Sequence, residues 1–203
     1  MRPLLARLDF FRLRHVEVRG AAYVEAGELV ALLRVDTTRS VWEDPARLRR
    51  RLLEHPQVRD VKVRRRLPST LLLIVDEWMP VGLVPTRRGL QPYDSAGRSL
   101  PIDPSRTPLD LPVVQSADPR LLAALGRIAL ANPAFYARIN SLRRDGREAM
   151  VIQLDSIRVR APLGVSASRL ADIFPVESDL ARRGASLAEL DLRYRDQVIA
   201  RLQ

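Results

Sequence analysis

The sequence predicts an α+β protein: a β-α-α-β-β unit, then a mostly antiparallel β region with flanking helices. Three observations predict it. Val58 to Pro80 reads as two strands around a Leu67-Pro68-Ser69-Thr70 turn, with Val58, Val61 and Val63 before the turn and the apolar run Leu71 to Val75 after it. Just upstream, Asp44-Pro45 supplies an N-cap and a first-turn proline ahead of Leu48, Leu52 and Leu53, so an amphipathic helix enters the hairpin. Beyond Pro80 the texture changes to short alternating segments broken by turns and prolines.

In chain order, residues 12–20 alternate Arg14, Val16 and Val18 against His15, Glu17 and Arg19 and stop at Gly20, a strand with a terminator. Leu29, Leu32 and Leu33 fall at helical spacing within Val24 to Val35, a helix with no obvious N-cap residue. A connection through Thr37, Thr38 and Ser40 leads to the second helix and the hairpin, and Glu77 is expected to pair with an arginine across it. A boundary falls near Glu77 to Val81, dividing the chain into an N-terminal segment 1–11, a first domain 12–78 and a second domain 79–203.

In the second domain, Val81 to Val84 and Gly89 to Tyr93 read as short strands, and Asp94 to Gly97 as a turn. Pro101 to Pro112 reads as a surface loop. Asp118-Pro119 opens a helix with Leu121, Leu125 and Ile128 on one face, ended by Asn132-Pro133. Ile139 to Leu142, Met150 to Leu154 and Ile157 to Arg160 form an antiparallel meander turning at Asp145-Gly146. A helix after Ser166 turns Leu170, Ile173 and Phe174 inward, and Pro175 is expected to end or kink it. Leu187 to Leu202 is expected to carry strand character to the end of the chain.

Composition narrows the function. At 203 residues and 46% hydrophobic, the chain buries a real core. Its charge of +10 comes from 34 basic and 24 acidic residues, and Lys62 is the only lysine. Acidic residues are interspersed and aromatics make up only 5%, which disfavours nucleic acid as a partner. The absence of cysteine excludes disulfides, thiolate nucleophiles and cysteine-ligated metals. No window approaches the roughly 20 apolar residues that span a bilayer. His15 and His55 stand without a partner set, and there is no phosphate loop, nucleophile elbow or zinc motif, so no catalytic residue, cofactor, metal or small-molecule substrate is indicated.

Taken in order, several stretches resemble the FtsQ/DivIB family of bacterial cell-division proteins. They are Val16-Glu17-Val18-Arg19-Gly20; His55-Pro56-Gln57-Val58 leading into Val61 to Pro68; Leu71 to Pro80; Tyr93-Asp94 with Gly97; Leu111-Pro112; and Asp191-Leu192-Arg193-Tyr194. The resemblance implies a POTRA domain followed by an FtsQ-type β domain. It also implies a place outside the cytoplasmic membrane, on a single N-terminal transmembrane helix that residues 1–11 do not supply, and a non-enzymatic scaffold that binds FtsB- and FtsL-type partners. The alternatives are a POTRA-bearing component of outer-membrane assembly or secretion and a basic nucleic-acid-binding α+β protein.

Two surfaces are candidates for partners. The last strand, if it lies at a sheet edge, offers unpaired backbone groups to an added strand; Asp191, Arg193, Tyr194, Val198, Ile199, Arg201 and Leu202 are its candidate contacts. Tyr194 stands as either a partner contact or a core residue, and Asp191 as either a contact or a neighbour's ion partner. Proline or charge reversal at Val198 is expected to abolish binding and spare the fold. The second surface is Arg64, Arg65 and Arg66, near the arginines at 47 and 49–51, facing acidic segments or a membrane surface. Its bland alternative is a solvated face with arginine stems over apolar neighbours.

Overall fold

The computed structural model describes residues 12–34, 43–185, 187–194 and 197–202. The chain forms two compact units, Met1–Trp78 and Met79–Gln203. The first contains β1 (His15–Arg19), α1 (Ala26–Leu33), α2 (Pro45–Leu52), β2 (Val58–Arg66) and β3 (Thr70–Glu77). The central strand is β3, parallel to β1 and antiparallel to β2.

Leu29, Leu33, Leu48 and Leu52 are completely buried against Val61, Leu71 and Leu73, so the helical and strand periodicities meet in one core. Each such leucine contributes on the order of 2 kcal/mol by burial. Asp44 caps α2 by accepting the Ala46 N–H at 3.0 Å. At its start α1 has no side-chain cap, and it ends on Arg34 in the left-handed region at φ 48°. Gly20 takes φ 82°, and a Cβ there would lie 2.4 Å from the Val75 carbonyl oxygen, so β1 ends where only glycine fits. The connection through Thr37, Thr38 and Ser40 lies outside the described residues.

Among the described residues Glu77 pairs with no arginine. Its carboxylate, on a residue only 3% exposed, accepts the backbone N–H groups of Ala22, Tyr23 and Val24 at 3.1, 2.9 and 3.0 Å. These amides precede α1 and have no strand to bond with, so an acceptor that takes three of them at once satisfies the turn better than an ion pair would.

The second unit contains β4 (Gly82–Thr86), β5 (Gly89–Tyr93), β6 (Val113–Val114), α3 (Pro119–Ala131), α4 (Pro133–Tyr136), β7 (Ser141–Asp145), β8 (Ala149–Gln153), β9 (Arg158–Pro162), α5 (Ala167–Ala171), α6 (Ile173–Arg182), β10 (Leu187–Asp191) and β11 (Ile199–Leu202). Its eight strands run in the order β11-β10-β9-β8-β7-β6-β4-β5. Four of the seven pairings are antiparallel. The parallel pairs β6/β7 and β9/β10 are bridged by α3–α4 and α5–α6, as parallel neighbours require a crossover. Leu121, Leu125 and Ile128 of α3 enter the core with Phe135, Ile152, Val159, Leu170 and Leu190.

One expectation holds here and another fails. The helix after Ser166 does break early, at Asp172: a continuous helix would set the Pro175 ring against the Ala171 carbonyl, and Pro175 instead sits in the first turn of α6, where its missing N–H interrupts no intrahelical bond. A fork from Arg138 to Glu177 at 2.8 and 2.7 Å then fixes α6, with Phe174 edge-on to Phe135. Leu187 to Leu202 is not one strand but an antiparallel hairpin, β10 and β11: Leu190 and Leu192 alternate into the core at 0% and 2% exposure, the Leu192 N–H still bonds the Arg160 carbonyl at 2.8 Å, and the chain returns so that Ile199 pairs with Asp191.

Candidate interaction surfaces

β11 is the last strand of the eight-stranded sheet, and its four residues are exposed. Ile199 is 43% exposed and Leu202 54%, apolar side chains on an edge with no further strand among the described residues. Arg201 shares this exposed strand, whereas Val198 precedes β11 and packs partly on the core. Proline at Val198 therefore removes no ladder donor of β11.

The Asp191-Leu192-Arg193-Tyr194 stretch divides its labour. Asp191 is buried and takes Arg193 through the guanidinium, at 2.9 and 2.6 Å, and through its backbone N–H at 3.0 Å. These bonds hold the Asp191 carboxyl below its usual value and push the Arg193 guanidinium up. Arg193 also lies 3.8 Å from Asp145, and Arg160 bridges toward Glu189 at 3.3 Å, so charges tie β10 to β9 and β7. Tyr194 is not a core residue; it is 52% exposed beside the hairpin.

Sequence reading missed Arg169. From α5 its guanidinium donates to the carbonyls of Tyr194 and Gln197 at 3.0 and 2.9 Å and pairs with Asp172 at 3.1 Å, clasping the β10–β11 connection from both sides. No local pattern announces a bond 25 and 28 residues away.

The Arg64, Arg65 and Arg66 cluster does not act as one surface. Strand alternation turns Arg65 to the helix side, where it donates to the Glu43 carbonyl at 2.9 Å, while Arg64 and Arg66 point to the opposite face with Lys62. Arg66 reaches Glu17 at 3.2 Å, and the hydrogen bond from Arg19 holds the Glu17 carboxyl below its usual value. Of the nearby arginines, Arg49 pairs with Asp60 at 2.7 Å, and Arg51 donates to the Leu33 carbonyl at 2.5 Å. The hairpin alternation was the signal that separates these side chains.

His55 accepts the Gln57 N–H at 3.2 Å and lies 3.5 Å from Glu28, a turn-stabilising arrangement. Among the described residues no cluster of three or more His, Asp or Glu converges to hold a metal. A cavity of about 360 Å³ lies between Arg127, Leu130, Val165 and Ala167 and is mainly apolar. No described helix is long and apolar enough to cross a membrane.

The POTRA domain, FtsQ-type, matches residues 11–78. The chain is 27% identical over 208 residues to the cell division protein FtsQ of Myxococcus fulvus, covering 94% of this chain and 73% of that protein. It is 34% identical over 111 residues to FtsQ of Rhodothermus marinus, covering 53% of this chain. It is 29% identical over 102 residues to the cell division protein DivIB of Geobacillus kaustophilus, covering 49% of this chain. These last two alignments span 40% and 39% of the relatives' own lengths. The solved major extracytoplasmic domain of DivIB from Geobacillus stearothermophilus aligns at 20% identity with a TM-score of 0.39, covering 53% of this chain and 97% of that one. Residues 11–78 match the FtsQ-type POTRA domain, and over most of its length the chain is similar to a cell division protein FtsQ.

Proposed function

We propose that this protein is a non-enzymatic scaffold of the cell-division machinery. In this reading the POTRA domain is residues 12–78 and the β domain residues 79–203, both held outside the cytoplasmic membrane by a single-pass anchor. It binds membrane-anchored division proteins of the FtsB and FtsL type, in part by adding a partner strand to β11. Tyr194, Ile199, Arg201 and Leu202 supply side-chain contacts, and Asp191 and Arg193 hold the hairpin in shape. The observation that carries the reading is β11 itself: an exposed, apolar edge at the end of a large sheet, in a family whose named members are cell division proteins. Backbone groups on such an edge give affinity, and alternate side chains give selectivity.

The test uses Ile199→Pro and Ala200→Pro. Successive residues of a strand direct their N–H groups to opposite sides, so one of the two prolines removes a donor from the open edge and the other removes one facing β10. In a pull-down with an FtsB-type extracytoplasmic segment, the outward position is expected to weaken binding by about tenfold, roughly the worth of one lost hydrogen bond. The unaltered chain and both variants binding alike would overturn the reading.

A further inference from the structure

The open face of the POTRA sheet has a composition that the edge-strand reading does not use. Register fixes it. Val16, Leu71 and Arg65 share one row and Val18, Leu73 and Val63 another, and these rows meet the helices, with Leu71 and Leu73 at 1% and 0% exposure. The rows between them must face the other way: His15, Thr70 and Arg66; Glu17, Leu72 and Arg64; Arg19, Ile74 and Lys62. Leu72 and Ile74 are only half-buried and stand outside the core cluster that holds their neighbours.

Two apolar residues thus run along the middle strand, with cations along one flank. Lys62, Arg64 and Arg66 follow each other at every second residue of β2, about 7 Å apart. Lys62 and Arg64 are both exposed and neither makes an ion pair among the described residues, although Asp60, which pairs with Arg49 at 2.7 Å, lies within electrostatic reach of Lys62. The other flank is mixed: Glu17 is bound by Arg19 at 2.5 Å and by Arg66 at 3.2 Å. Like charges placed so closely repel each other, and an anionic partner relieves that repulsion.

We propose that this face docks an amphipathic helix of a protein partner, its apolar stripe lying along Leu72 and Ile74 and its one acidic flank meeting Lys62 and Arg64. A helix about 10 Å across covers two strand spacings, so it spans β3 and reaches both flanks. Asymmetry selects a helix over a bilayer: an anionic lipid surface attracts cations on both sides alike, whereas here one flank is cationic and the other carries the Glu17 carboxylate. The proposal rests on reading the chain as a binding module, but not on β11.

The experiment titrates the full chain with a labelled helical peptide of about 18 residues, with leucines at helical spacing and glutamates along one flank, and with its lysine-flanked counterpart. The glutamate peptide is expected to bind. Lys62→Glu with Arg64→Glu is expected to weaken that binding about tenfold or more, to favour the lysine peptide, and to shift the thermal midpoint by only a few degrees at most, since both side chains are exposed. No binding of the glutamate peptide, or equal affinity in the double variant, would overturn the proposal. So would capture by phosphatidylglycerol vesicles that the double variant loses and the peptide fails to displace. Ile199→Pro and Ala200→Pro are expected to bind the peptide normally, so the two surfaces fail separately.

Discussion

Replacing Glu77 by alanine removes one acceptor from three backbone donors, and the three amides differ in what water can do for them. Val24 is buried, at 7% exposure, so its N–H is left unsatisfied at a cost of about 1–3 kcal/mol. Ala22 is exposed and Tyr23 half-buried, so their N–H groups rehydrate, each losing about 0.5–1 kcal/mol of net bond. Relief from holding a carboxylate in a nearly dry site offsets part of this, which leaves about 3 kcal/mol. For a unit of this size that lowers the melting temperature by about 12–24 °C. The assay is tryptophan fluorescence: the two tryptophans, Trp42 and Trp78, both belong to the first unit, so the signal follows that unit within the whole chain. Glu77→Gln keeps an amide oxygen for the buried Val24 N–H and is expected to lose only about 1 kcal/mol. A Glu77→Ala midpoint within about 2 °C of the unaltered chain would refute the clamp.

Gly20→Ala puts a Cβ against the Val75 carbonyl at a positive φ; the same fluorescence melt is expected to register a loss of about 2 kcal/mol or more. The Asp191 carboxyl, held below its usual value of 3.8 by Arg193, contributes stability that is present above about pH 4 and lost as pH falls through the lowered value. Urea midpoints of the unaltered chain and Asp191→Asn are therefore expected to differ at pH 7 and to converge at about pH 2–3. Arg169→Ala frees the carbonyls of Tyr194 and Gln197; hydrogen exchange is expected to speed up across 197–202 but not in β8 and β9, and an unchanged rate in the hairpin would exclude the clasp.

The first unit was nearly all legible, because each of its elements carries a local device: alternation in β1, the Asp44-Pro45 cap of α2, a turn between two β-branched runs. Signals failed where a distant group decided the outcome. Glu77 looks like a hairpin ion partner until the turn it clamps is known to fold back 53–55 residues away. Leu187 to Leu202 looks continuous because its apolar alternation runs through Leu190 and Leu192 with no glycine or proline to announce that Ile199 pairs back on Asp191. Pro175 was legible as a break, but its identity does not reveal that a second helix starts just ahead of it, at Ile173. The arginine run was the opposite case: the alternation that identified the strand already placed Arg65 and Arg66 on different faces.

The two ends of the eight-stranded sheet are not alike. At β5, Pro92 offers no N–H, its carbonyl is taken by Leu100 at 2.9 Å, Tyr93 bridges to Ser99, and the Gln91 side chain bonds the Leu100 carbonyl. That end is capped by its own chain, while β11 has no further strand beside it among the described residues. A sheet with one open end accepts a single addition and then terminates: two copies could meet edge to edge as a closed pair, but no third could follow through these strands. An edge of this kind can be exposed without making the sheet a template for fibril growth.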